Sequence, residues 1–244
     1  MNIIIGRKPV LEAINSGEEI EQVYILFGQQ GGIIKAITIA AKKRGIKVNQ
    51  IPVARFKEYS DEKNAQGVLA IKPQFKYSSL QQIIEKSKQS KLPLLLALDE
   101  IQDPHNLGAI LRSAECSGVD GVILTKHKSA SINSTVVKTS AGATEHLMIC
   151  QVNNLANALD ELKKENFWIV GSSLKDAKDY SEIDYNIPVV LVVGNEEKGI
   201  RKLTSDKCDF LVKIPMKGKL QSLNVSVATG ILLFQILNKR QQSL

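Results

Sequence analysis

The chain is poor in cysteine. Its 244 residues hold three, Cys116, Cys150 and Cys208, with none of the paired spacings of a disulfide framework or a thiolate metal site. The three histidines, His105, His127 and His146, lack ligand spacing as well, so no metal is expected. No apolar run approaches the roughly 18 residues of a membrane helix. Residues 1–7 lack the basic region, longer apolar run and small-residue cleavage site of a signal peptide. These absences predict a cytoplasmic chain with no membrane partner. Also missing are a Gly-x-Gly-x-x-Gly turn after a strand, a Walker loop and a Gly-x-Ser-x-Gly elbow. Dinucleotide, nucleoside-triphosphate and serine-hydrolase readings therefore lack their defining parts. Aromatic residues make up 5%, which leaves few candidates for base stacking. In the N-terminal third Tyr24, Phe27, Phe56 and Tyr59 fall at strand or helix positions that are expected in the core.

What the chain does have is positive charge: 32 Lys and Arg against 25 Asp and Glu, a net +7. That balance fits a polyanionic partner, but it also suits enzymes of small phosphorylated substrates. The length allows one large domain or two small ones.

The pattern predicts two α/β regions. The first holds short helices near 9–14, 33–44 and 53–59, with strands near 23–27, 48–51 and 67–72. Residues 1–73 are assigned to it. Residues 74–90 are polar and read as a linker with a weak helix at 79–88. From 91 to 244, strand, loop and helix alternate. Strands are expected at 94–99, 121–125, 145–149, 167–171, 189–194 and 210–214, and helices at 107–117, 135–141, 155–165 and 225–237. Their continuous apolar runs suit a parallel sheet covered on both faces. Cys116 is expected to be buried, and residues from 239 onward to be a frayed tail.

Three segments carry unusual polar residues just beyond apolar strands, where open α/β sheets place ligands. The first, 99–114, sets Asn106 near a helix start and Arg112 inside an otherwise apolar helix. The second, Gly194-Asn-Glu-Glu-Lys-Gly-Ile200, puts Glu196 and a flexible Gly199 in a tight turn. The third, 214–228, is a polar loop running into Ser222, Asn224 and Ser226 at the start of the last helix. Each polar residue also has a structural role open to it. Asn106 can equally serve as a helix cap, as can Ser222 or Asn224 before the last helix, Glu196 as a helix-terminal acid, and Arg112 as a solvated charge. The recurrence at three strand ends is what marks the segments out.

At these segments the chain resembles the SpoU, or TrmH, family of RNA ribose 2'-O-methyltransferases. Asp103-Pro-His-Asn-Leu-Gly-Ala-Ile-Leu-Arg112, Gly194–Ile200 and 214–228 are similar to its three motifs, in order. Asn195 stands where many members carry serine. The resemblance implies an α/β fold with a C-terminal SPOUT-type methyltransferase domain tied in a trefoil knot. A small N-terminal α/β domain, opening at residues 5–13, resembles a ribosomal-protein-like RNA-binding module. It implies S-adenosyl-L-methionine as cofactor, held at Gly194, Ile214, Met216 and Leu223, and a homodimer with the active site near its interface. It also implies catalytic roles for Arg112, Asn106, Glu196, Ser222 and Asn224.

A sulfonium methyl is already electrophilic, so the chemistry itself calls for no metal. A ribose hydroxyl is a poor nucleophile and must lose or share its proton as it attacks. Arginine is a costly base but a rigid fork for phosphate, so Arg112 is expected to position the RNA and polarise the hydroxyl. RNA is expected to meet Arg7, Lys8, Lys42, Lys43 and Arg44 through phosphates. The two-domain layout and residues 138–145 and 208–216 resemble members acting on a guanosine in the peptidyl-transferase P-loop of 23S rRNA, with the assembling large ribosomal subunit as partner. Transfer RNA, another ribosomal position, or a catalytically silent RNA-binding relative are the alternatives.

Overall fold

The apolar runs form two separate sheets in a computed structural model that describes residues 3–60, 65–72, 75–219 and 222–242. Leu220 and Gln221 of the third motif, and Pro73 at the expected domain boundary, lie outside the described residues. The chain divides into two units, 1–75 and 76–244.

The first unit is built on β1 (Ile3–Ile5), β2 (Gln22–Leu26), β3 (Lys47–Ile51) and β4 (Val68–Ile71), in the order β1-β4-β2-β3. β2 and β3 run parallel, and β4 runs antiparallel to β1 and β2. The C-terminal ends of β1, β2 and β3 therefore share one edge of the sheet. Helices α1 (Arg7–Asn15) and α2 (Gly32–Lys43) bury Val10, Ile14, Ile34 and Ile37 against one face. On the other face Phe56 of α3 (Val53–Lys57) packs with Tyr24, Leu26 and Leu69. Tyr24 and Phe56 are core residues as expected. Phe27 is not: it follows β2 and is 58% exposed.

In the second unit α4 (Leu80–Ser87) precedes a seven-stranded, all-parallel sheet. Its strands are β5 (Leu94–Asp99), β6 (Gly121–Thr125), β7 (Ile149–Val152), β8 (Trp168–Ser172), β9 (Lys178–Asp179), β10 (Val189–Gly194) and β11 (Phe210–Lys213). They are ordered β7-β6-β5-β10-β8-β11-β9. The chain leaves β5 towards β6 and later returns on its other side as β10. This is a topological switch point, and the crevice beyond the strand ends there is where such sheets bind ligands. Helices α5 (Pro104–Cys116) and α10 (Val225–Gln241) pack on each other, and α10 packs against β10. α4 and α8 (Leu155–Lys164) share a core with Leu95, Ile123, Val190 and Val192.

Several expectations need correction. Residues 76–90 are not a linker but part of the second unit. Ser79 and Gln82 close a reciprocal cap on α4, and Ile83 and Ile84 are buried. A Cβ on Gly121 would lie 2.5 Å from Ile83, so this helix sits directly on β6. Its many glutamines and lysines face outward and hid a short apolar stripe. Residues 143–146 form α7 and the strand follows it, as Ile149–Val152. Cys116 is exposed. The last helix runs on to Gln241, because the Arg240 guanidinium donates to the carbonyls of Leu92, Pro93, Tyr185 and Ile187.

Candidate active site

Asp99 closes β5 and Gly194 closes β10, and the two are directly paired. Beyond them, three loops meet. The 195–199 turn is tied by backbone hydrogen bonds in both directions between Asn195 and Gly199, at 3.1 and 2.9 Å. The Asn195 side-chain oxygen accepts from the amides of Glu197 and Lys198, and its Nδ2 donates to the Glu100 carbonyl. Gly199 adopts φ +66°, which favours glycine. Gly194 is required for a different reason: a Cβ there would lie 2.1 Å from the Gly199 carbonyl carbon.

Asp99 is fully buried and is held by Arg201, whose Nε and backbone N–H donate to it at 2.8 and 3.0 Å. Arg201 also pairs with Glu100. Asp99 raises the affinity of the arginine for its proton. The clamp fixes the exit of the 195–199 turn onto the end of β5.

The second link joins all three motifs. Asn106 Nδ2 donates to Glu196 Oε1 at 2.7 Å, and Asn224 Nδ2 donates to Asn106 Oδ1 at 3.0 Å. The Asn224 oxygen accepts from the Ser226 amide and hydroxyl, so Asn224 caps α10 and orients Asn106 together. Asn106 is not the cap of α5, since Asp103 takes that place by accepting from the amide of His105 at 2.6 Å.

Two hollows flank the 195–199 turn. One, about 530 Å³, is lined by Gly194, Ile214, Met216, Ser222 and Leu223, with Leu174 of the segment after β8. All four expected cofactor positions thus meet in one cavity. It combines exposed backbone with the half-exposed side chains Leu174, Met216 and Leu223, and its size suits a nucleoside-bearing ligand. The other hollow is a polar cleft lined by Glu100, Asp103, Asn106, Lys128, Glu196 and Lys198. Among the described residues no group of three or more His, Cys, Asp or Glu is placed to hold a metal ion.

Arg112 does not join this cluster. Six residues along α5 turn it about 120° away from Asn106. It lines neither hollow, is exposed, and makes no hydrogen bond or ion pair among the described residues. The sequence reading missed Asp99, Arg201 and residues 172–175. The signal for Asp99 was present, as an acid ending a strand of five apolar residues. Residues 172–175 carry no such signal, because only the sheet order brings them to the cavity.

A fold and site of this kind belong to a nucleoside-cofactor enzyme, and comparison with known proteins names the class. Residues 93–234 match the SpoU rRNA methylase family, and residues 3–78 match the RNA 2'-O ribose methyltransferase substrate-binding module. A TrmH-family tRNA/rRNA methyltransferase assignment from Staphylococcus saprophyticus is 40% identical, over 98% of this chain and 96% of that protein. Among solved structures, the AdoMet-bound rRNA methyltransferase of Sinorhizobium meliloti is 28% identical, with a TM-score of 0.62, covering 99% of this chain and 87% of that one. The A. aeolicus TrmH/SpoU tRNA-modifying enzyme is 34% identical with a TM-score of 0.58, covering 67% of this chain and 83% of that one. The chain belongs to the SpoU/TrmH family. It has the two-domain SPOUT-type α/β architecture and is an S-adenosylmethionine-dependent RNA 2'-O-ribose methyltransferase.

Proposed function

We propose that this enzyme methylates a ribose of ribosomal or transfer RNA, with Asn106, Glu196, Ser222 and Asn224 ordering the site and Arg112 supplied by a second copy of the chain. The observation that carries this reading is the hydrogen-bonded chain Asn224–Asn106–Glu196, which ties the three motifs together between the cofactor cavity and the polar cleft. Gly194, Ile214, Met216 and Leu223 hold the cofactor, which when bound supplies an electrophilic methyl group. The Glu196 carboxylate and the two amides hold the ribose and its hydroxyl in line, where alignment contributes much of the rate. Arg112 grips the neighbouring phosphate through its planar fork.

The outward position of Arg112 supports a homodimer. On α10, Val227, Gly230, Ile231 and Phe234 form a stripe at helical spacing, with Val227 51% and Phe234 47% exposed. Gly230 packs beside Ser113, the residue next to Arg112. Pairing two copies through this stripe buries it and carries Arg112 to the partner site. Mixing Arg112→Ala with Glu196→Gln chains tests this. If Arg112 acts across the interface, one site per mixed dimer regains both groups and activity returns. If it acts within its own chain, the mixture stays inactive. Each single variant should still bind S-adenosylmethionine by calorimetry.

The S. saprophyticus relative's name spans tRNA and rRNA, so the proposed substrate is that class rather than the 23S P-loop guanosine the resemblance pointed to. The S. meliloti rRNA enzyme matches both units of this chain, whereas the A. aeolicus tRNA enzyme spans two thirds of it. That coverage favours ribosomal RNA. Mapping 2'-O-methylation across rRNA and tRNA from cells with and without the gene tests the choice. The expected outcome is one ribosomal position lost, and a tRNA position lost instead would reverse it.

A further inference from the structure

We infer that the strand-end edge of the N-terminal unit is a docking surface for unpaired RNA nucleotides, with Phe27 as the stacking platform. The inference rests on the RNA substrate reading above and assigns residues to it. Four large apolar side chains of this unit are exposed among the described residues: Ile5, Phe27, Ile39 and Val53. Three of them stand at the edge shared by the C-terminal ends of β1, β2 and β3, and Ile39 alone lies elsewhere, on α2. The Phe27 amide donates to the Ile51 carbonyl at 3.0 Å, which ties the backbone at residue 27 to the chain leading to Val53. At 58% exposure Phe27 adds little to the core, and three exposed apolar residues at one edge mark a contact surface.

The charge at this edge fits a polyanion. Arg7 and Lys8 open α1, which leaves this edge, and Arg55 and Lys57 lie on α3, which also leaves it, with the Arg55 guanidinium over the Tyr24 ring; Glu18, Glu19 and Glu21 lie at the opposite edge. Arg7 is fixed in place by donating from Nε to the Gln66 carbonyl at 2.9 Å and from Nη2 to the Gln29 side chain. This staples the loop that carries Phe27 and leaves its Nη1 without a partner among the described residues. An aromatic face with an oriented guanidinium nearby suits a splayed base and its phosphate, and does not suit a paired stem. Lys42 and Lys43 sit at the other end of α2, and Arg44 is occupied by the Ile14 and Gly17 carbonyls. The expected five-residue phosphate surface therefore divides, with Arg7 and Lys8 on the docking edge and the other three away from it.

The test uses the full-length chain, a fluorescein-labelled RNA hairpin with an unpaired loop, and the same stem as a blunt duplex. Wild type should prefer the hairpin. Phe27→Ala should weaken hairpin binding about tenfold and abolish that preference. Phe27→Tyr should retain it, and Ile39→Ala should leave it unchanged. The inference is overturned if Phe27→Ala binds as wild type, or if Lys42→Ala/Lys43→Ala loses affinity while Phe27→Ala does not. Methyl transfer to cellular RNA is measured separately. Phe27-dependent hairpin binding with no transfer to rRNA or tRNA would sink the target reading and leave this surface standing. Transfer with an indifferent Phe27 would do the reverse.

Discussion

Asn224 performs two tasks with one amide, and its two ends can be separated by mutation. Its oxygen caps α10 and its nitrogen orients Asn106. Asn224→Asp keeps the capping oxygen, and Asp caps helices as well as Asn. The substitution removes the donor and turns a second acceptor towards the Asn106 oxygen. Thermal stability should hold while kcat falls about tenfold to a hundredfold, because alignment is lost without unfolding. A matching drop in melting temperature would show that the residue only caps. Arg201→Ala should behave differently. It leaves the buried Asp99 carboxylate without its cation, at a cost of about 2–3 kcal/mol. That is below the full value for a buried pair, since Arg201 is itself 45% exposed. Chemical denaturation would read the loss, and cofactor affinity should fall with it because the clamp also holds the 195–199 turn.

At the scale of elements, the turn after β10 depends on Gly194 having no side chain. Gly194→Ala would drive a Cβ into the Gly199 and Ile200 backbone, at 2.1 and 2.2 Å. The turn must open into the cavity proposed for the cofactor, so S-adenosylmethionine affinity should fall at least about tenfold by calorimetry. Wild-type affinity would mean that the turn can move aside at no cost. The packing of β7 and of the segment around 208 makes a second prediction. Burial pushes the thiols of Cys150 and Cys208 up to about 12, while Cys116 lies exposed on α5. Iodoacetamide at pH 8 should label Cys116 in the folded protein and reach the other two only after denaturation, as peptide mass spectrometry would show.

For the whole molecule, the same burial sets an alkaline limit. Cys150, Cys208 and Tyr185 reach about 12 when folded, above their ordinary values of 9.0, 9.0 and 10.0. The folded state therefore holds protons that the unfolded state releases. This stabilisation is complete below pH 9.0 and is lost as pH rises towards 12. Melting followed by circular dichroism should fall across that window, less steeply for Cys150→Ala. Much of the molecule was legible in the sequence because burial leaves a local pattern. The apolar runs 94–98 and 189–193 announced parallel strands, and polar residues at three strand ends marked the loops that meet beyond them. The α4 stripe and the ordered end of α10 were not legible. Two isoleucines among glutamines and lysines look like linker, and Arg240 looks like tail until four distant carbonyls surround it. The sequence by itself determined the parts: which strands are buried, which three polar segments follow them, and that the last helix starts near residue 225. Only the tertiary structure decided their company. It joined Asn106 to Glu196 and Asn224 across some 90 and 118 residues, turned Arg112 away from them, and left Phe27 exposed at the strand ends. Periodicity reports which side of an element is apolar, whereas contacts between distant residues depend on strand order, which no local pattern encodes.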